Sequence, residues 1–144
     1  MQVPESNGGS LESVSKGTVL STFLVMSNEL ISPKILACPR DTGRTRTNQF
    51  AGLTQKSISY FVGLDLSPTN RNGILIGDRN ISVGRTLANG LISVADPATV
   101  SWTVSIHQVN GNVALTDGSA HPVTTFGLQQ LLGNSGQTNR FVVP

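Results

Sequence analysis

Apolar and polar positions change period several times along this chain, and each change predicts an element. Residues 18–30 carry Val19, Leu20, Phe23, Leu24, Met26 and Leu30. Apolar groups recurring every three to four residues line one face of a helix, so this stretch predicts an amphipathic helix. Thr18 is placed to cap its N-terminus. Ser32-Pro33 ends it, because the residue before proline is pushed out of the α region. Residues 57–64 alternate instead, with Ile58, Tyr60, Val62 and Leu64 on one face and Ser59, Phe61 and Gly63 on the other. A period of two marks a half-buried strand. Ile74-Leu75-Ile76 predicts its hairpin partner, across a loop containing Ser67-Pro68 and Asn72-Gly73.

Residues 98–126 predict an antiparallel β-meander. Trp102, Val104 and Ile106 alternate with Thr103, Ser105 and His107, then Val113 and Leu115 alternate with Ala114 and Thr116, and Val123 leads a third strand. Asn110-Gly111 and Asp117-Gly118 supply the tight turns, because a type I′ turn needs positive φ at both central residues. Residues 126–132 suit a short helix ending at Gly133, and Phe141-Val142-Val143 a last extended piece.

The remaining segments carry weaker patterns. Ile35 to Cys38 reads as extended, 40–49 as an exposed loop, 48–54 as a helical turn burying Phe50 and Leu53, and 81–97 as irregular. Residues 1–16, rich in Ser, Gly, Glu and Asn, predict a flexible lead-in before a globular domain at 17–133 and a tail at 134–144. The fold class is α+β: an N-terminal helix packed on an antiparallel sheet of about five strands, with a short C-terminal helix.

Composition narrows the function. Only 12% of residues are charged, about half the usual share. The net charge is +2, and the one basic cluster, Arg40, Arg44 and Arg46, is interrupted by Asp41 and has no interleaved aromatics. That pattern does not predict a nucleic-acid binder. The single cysteine, Cys38, has neither a disulfide partner nor the companion cysteines of a zinc motif, and reads as a buried, inert thiol. No apolar run is long enough to span a bilayer, and residues 1–16 do not have the basic-then-apolar pattern of a signal peptide.

Candidate chemistry is sparse. His107 with Asp117 is the tempting pair, but a two-residue turn at Asn110-Gly111 would set His107 opposite Ala114, on the face away from Trp102, and leave Asp117 to shape the next turn. Asp78-Arg79-Asn80 reads as a turn in which Arg79 braces the sheet, with a site as the alternative. Asp117, Ser119 and nearby carbonyls could hold a calcium ion, which wants six or more oxygens, but only one carboxylate is local, so no cofactor is expected. Glu29 falls in the last turn of the predicted helix, where the macrodipole disfavours an anion, so it suits a cationic or amide partner or open solvent.

One set of motifs points to a family. His107 is followed after nine residues by Asp117-Gly118, and Ser27-Asn-Glu-Leu30, Ser32-Pro-Lys-Ile-Leu36, Cys38-Pro39-Arg40-Asp41, Ser59-Tyr60-Phe61 and Gly77-Asp78-Arg79-Asn80 precede it in order. This set resembles the prepilin-type, type II secretion pseudopilin-like proteins of planctomycetes and verrucomicrobia that carry an H-X9-DG segment. Arg40 replaces the usual small residue before Asp41, Ala120-His121 replaces a strand-forming pair, and the family's leader and apolar anchor helix are not among these residues. The resemblance implies a non-enzymatic fibre subunit with a pilin-like head. It also implies an inner-membrane anchor preceding these residues in the full-length protein, and a head in the periplasm or at the cell surface. The partners implied are other pilin-like subunits or secretion-system components, with no nucleic acid, no small-molecule substrate and no resident cofactor. Two other classes are open. One is an extracytoplasmic binding module for a glycan or protein, which an exposed Trp102 beside a second ring would favour. The other is a hydrolase, weakened by the lack of a base–nucleophile pair in the expected strand geometry.

Overall fold

The computed structural model describes residues 3–66, 69–84, 90–135 and 139–144, so Ser67-Pro68 of the expected loop lie outside the described residues. The chain is α+β. Three short helices come first, α1 (Leu11–Ser15), α2 (Leu20–Val25) and α3 (Ser27–Leu30). Strands follow: β1 (Tyr60–Gly63), β2 (Ile74–Asp78), β3 (Ile81–Ser82), β4 (Leu91–Val94), β5 (Ser101–Trp102), β6 (Asn110–Leu115) and β7 (Ala120–Thr124). Helix α4 (Thr125–Asn134) and strand β8 (Asn139–Val142) complete the order. Six strands form one antiparallel sheet in the order β4-β8-β1-β2-β6-β7, and β3 and β5 pair separately.

The sheet is covered on both faces at β1 and β8, so the alternation along 57–64 does not separate a buried face from a wet one. Phe61 and Phe141 point to a core with Ile74, Ile92, Val113, Leu128 and Leu132. Their rings lie 4.9 Å apart at 60°, a tilted contact that adds about 0.5–1.5 kcal/mol to simple burial. The neighbouring residues Val62 and Val142 belong to a second cluster with Val19, Phe23, Leu36, Leu53 and Ile58. The β1–β2 hairpin expected at 57–76 is present, with Tyr60 opposite Asp78.

The single helix expected over 18–30 is broken at Met26 (φ −90°, ψ 13°). Ser27 and Asn28, residue types of low helix propensity, follow directly at the start of α3. Thr18 is not the N-cap of α2, although its Oγ1 accepts the Leu20 amide at 3.3 Å. Gln55, from far along the chain, accepts the amides of both Val19 and Leu20 at 3.2 Å. Of residues 35–38, expected to be extended, Ile35 and Leu36 lie in a 3₁₀ turn (Pro33–Leu36) capped by Ser32, and the backbone is extended at Ala37; the helical turn expected near 48–54 is a 3₁₀ turn at Phe50–Gly52 that leaves Phe50 half-buried and Leu53 buried.

The meander expected over 98–126 is half right. β6 and β7 form the hairpin at Asp117-Gly118, but only Gly118 takes positive φ (86°). The loop has three residues, closed by the Leu115 amide on the Ser119 carbonyl at 2.9 Å. Asn110-Gly111 is no turn, because β6 begins there. Gly111 sits under Trp102, whose ring would lie 2.7 Å from a Cβ at that position. Trp102 itself pairs with Ile81 in the small sheet and is buried. Residues 103–109 loop back to the start of β6 instead of running as a strand. Residues 81–97, expected to be irregular, contain β3 and β4. Gly133 lies within α4 and does not end it.

Candidate functional site

At one end of β2 four chain segments are tied together. Ser59, fully buried, donates its amide to the Leu36 carbonyl and accepts the Arg79 amide on its own carbonyl, at 2.8 and 2.9 Å. Its hydroxyl accepts the Cys38 amide at 3.0 Å. Asn80, also buried, donates its side-chain amide to the carbonyls of Thr103 and Asn110 at 2.9 and 3.0 Å, while its main-chain carbonyl accepts the Thr103 amide at 2.7 Å. A buried side chain that satisfies backbone groups in this way fixes the loop it touches. That loop, 103–110, carries His107.

His107 therefore does not stand opposite Ala114 on the outer face, as the turn at Asn110-Gly111 would have required. Ala114 pairs with Ile76 and Ala120. The His107 Nε2 lies 3.4 Å from the Cys38 Sγ and 3.5 Å from the Asp78 Oδ2. Cys38 and Asp78 are buried, and the His107 side chain is 25% exposed. One donor atom from each residue lies within 4.8 Å of the other two. Asp78 Oδ2 also accepts the Asn112 amide at 2.6 Å and the Asn112 side chain at 2.9 Å. To reach this place the backbone turns through positive φ at Gln108 (53°) and Val109 (59°), a region rarely used by any residue but glycine, and least by β-branched ones.

A second cluster lies beside it. Arg79 grips Asp41 with two hydrogen bonds of 2.7 Å, from Nε and Nη2. Burial pushes the Asp41 carboxyl up, but hydrogen bonds from Arg79 and Ser59, the Arg79 charge and the Gly43 amide outweigh it and hold the group below the usual carboxylate range. Asp41 is thus the anion that Arg79 answers, and Asp78 is left to His107. Tyr60, opposite Asp78, is pushed up to about 12 by burial, with Cys38, Asp78 and Asp41 adding to it. Of the arginine cluster, Arg44 reaches the Pro144 carbonyl at 2.7 Å, and Arg40 and Arg46 are exposed.

The other candidate residues stand apart. Asp117 Oδ1 accepts the Ser119 hydroxyl at 2.6 Å and the Ser119 amide at 2.9 Å, and these bonds lower its carboxyl. It shapes its own turn, as an aspartate before glycine commonly does. His121 meets the Ser119 hydroxyl at 2.9 Å. Glu29 is exposed on α3. Sequence reasoning picked out Cys38, Asp78 and His107 separately but missed their meeting. The ordered motifs Cys-Pro-Arg-Asp, Gly-Asp-Arg-Asn and His were the available signal.

Chemically, a thiol, an imidazole and a carboxylate invite comparison with a nucleophile–base relay, and the expectation that no such pair forms is corrected to this extent. A relay, however, uses opposite ring nitrogens, one facing the nucleophile and one the carboxylate. Here both partners face Nε2, which carries at most one proton to share between them. Compared with protein-family models, with curated proteins and with solved structures, the chain matches none.

Proposed function

We propose that this chain is a non-enzymatic structural subunit, the head of a pseudopilin-like protein in a type II secretion or type IV pilus-like fibre. One observation carries the proposal: six of the residues behind the resemblance meet in the fold, and they and the Asp117-Gly118 turn are used to build it. Cys38, Asp41, Asp78, Arg79, Asn80 and His107 contact each other or backbone, and Asp117-Gly118 makes the β6–β7 turn. A motif used to tie segments together suits a scaffold, whereas a motif lining an open cleft would suit an enzyme. In this proposal α2 and α3 are the lower end of a stem, and Val19 and Phe23 hold it against Val62 and Val142. Two features weigh against a glycan platform. Trp102 is buried, and Phe126 is the one aromatic among the described residues that is largely exposed.

The test is made in the native host with the full-length gene. Immunogold labelling of this head should mark short envelope-associated fibres or foci, and deleting the gene should reduce extracellular protein or surface fibres. A product found free in the cytosol, with unchanged exported protein and fibres after deletion, would overturn the proposal.

A further inference from the structure

We infer that Cys38, Asp78 and His107 form a zinc site, with a water as the fourth ligand on the side where His107 meets solvent. Zinc sits about 2.3 Å from a thiolate sulfur and about 2.0–2.1 Å from an imidazole nitrogen or carboxylate oxygen, in tetrahedral geometry. Those lengths and angles separate neighbouring ligand atoms by about 3.3–3.6 Å. The sulfur–nitrogen and nitrogen–oxygen separations here are 3.4 and 3.5 Å. The third edge, between the Cys38 sulfur and the Asp78 carboxylate and within 4.8 Å, closes by a small rotation of the thiol.

Electrostatics points the same way. Asp78 is 1% exposed, and His107 is its one ion-pair partner among the described residues. Arg79 next to it is engaged by Asp41. A buried carboxylate without a permanent cation is costly, and a divalent ion supplies that charge. The surroundings are already those of a ligand shell. Asn112 holds Asp78 with two donors, Ser59 fixes the Cys38 backbone, and Asn80 fixes the loop bearing His107. The strained φ values at Gln108 and Val109 are the bend that brings the imidazole over the other two groups. The donor set selects the metal class: thiolate and imidazole suit zinc and other borderline transition metals, while calcium and magnesium want oxygen alone. On binding, the Cys38 thiol gives its proton to water as the zinc–sulfur bond forms. Three protein ligands leave one position of the ion open to water or one further donor.

The inference stands apart from the fibre proposal and is tested on the purified chain. After chelation and dialysis, cobalt(II) should bind at one equivalent per chain, with a thiolate-to-cobalt charge-transfer band and the strong visible bands of a tetrahedral ion, and zinc should bleach them. Zinc, but not magnesium, should slow alkylation of Cys38 in the unmodified protein, a readout that needs no variant to fold. Cys38→Ser should abolish the charge-transfer band. Asn112→Ala, at an exposed position, should weaken zinc about 10–100-fold. His121→Ala combined with Asp117→Asn should change nothing. An octahedral cobalt spectrum without the charge-transfer band, alkylation unaffected by zinc, or undiminished zinc binding in Cys38→Ser would each overturn the inference.

Discussion

Gly111 offers the sharpest test of how the sheet is built. A Cβ at this position would sit 2.7 Å from three Trp102 ring atoms, whereas ordinary contact begins at 3.4 Å. Trp102 is 3% exposed, so the ring has to move by about 0.7 Å inside a packed core, and overpacking of this kind costs about 1–3 kcal/mol. Gly111 does not have positive φ, so alanine meets no backbone strain and gains about 0.4–1 kcal/mol by restricting the unfolded chain. Gly111→Ala should therefore lower stability by a net of about 1–2 kcal/mol, which at about 2–4 °C per kcal/mol for a chain of this size lowers Tm by about 2–8 °C. The decisive step is a double-mutant cycle with Trp102→Leu, read by far-ultraviolet circular dichroism in urea. With the ring gone, Gly111→Ala should change sign and stabilise by a few tenths of a kcal/mol to about 1 kcal/mol. An equal cost in both backgrounds would mean that Gly111 is needed for a turn conformation, and the strand assignment would be refuted.

Three further outcomes follow from the tied segments. Asp41→Asn should cost about 2–3 kcal/mol, because it breaks a two-pronged, largely buried contact with Arg79. The folded Asp41 pKa is depressed, so its contribution is complete above the unfolded carboxylate value of about 3.9 and is lost as pH falls through the lower, folded value. The stability gap between the unmodified protein and Asp41→Asn should thus be flat from neutral pH to about 5 and close in stronger acid; a gap that widens in acid would contradict the assignment. Asn80→Ala should cost about 1–3 kcal/mol and speed hydrogen exchange at Ile106 to Val109, while unchanged exchange there would show that the loop is held by something else. Val109→Asn should raise stability by about 0.5–1 kcal/mol in thermal melts, because asparagine tolerates the left-handed backbone better than a β-branched residue, and Val109 is 52% exposed and loses little burial.

What could be read from the chain beforehand was what is local. The β1–β2 hairpin, the Asp117-Gly118 turn, the C-terminal helix and the extended Phe141-Val142 all carry strong short-range signals. Asn110-Gly111 carries an equally strong signal and misleads, because glycine serves here to admit a ring instead of a turn. β3 and β5 are two residues each, too short for alternation to register, and the exposed Leu91 breaks the apolar–polar alternation of β4. The break at Met26 and the remote Gln55 contact show tertiary packing overriding a helical period. The Cys38–Asp78–His107 cluster was illegible for a related reason. Spacing along the chain describes neighbours within an element, and these three residues come from a turn, a strand end and a loop, joined through Ser59 and Asn80.

The position of β8 also bears on how the protein is made. It follows every other strand in chain order, yet it lies between β4 and β1, pairing Val142 with both Leu91 and Val62. A nascent chain still lacking residues 139–142 presents two open strand edges that cannot pair with each other through the missing strand. Such edges recruit other chains. Translation through Val142 is thus the step that joins the two parts of the sheet, and any product released earlier is a substrate for chaperones and proteases before it is a folded domain.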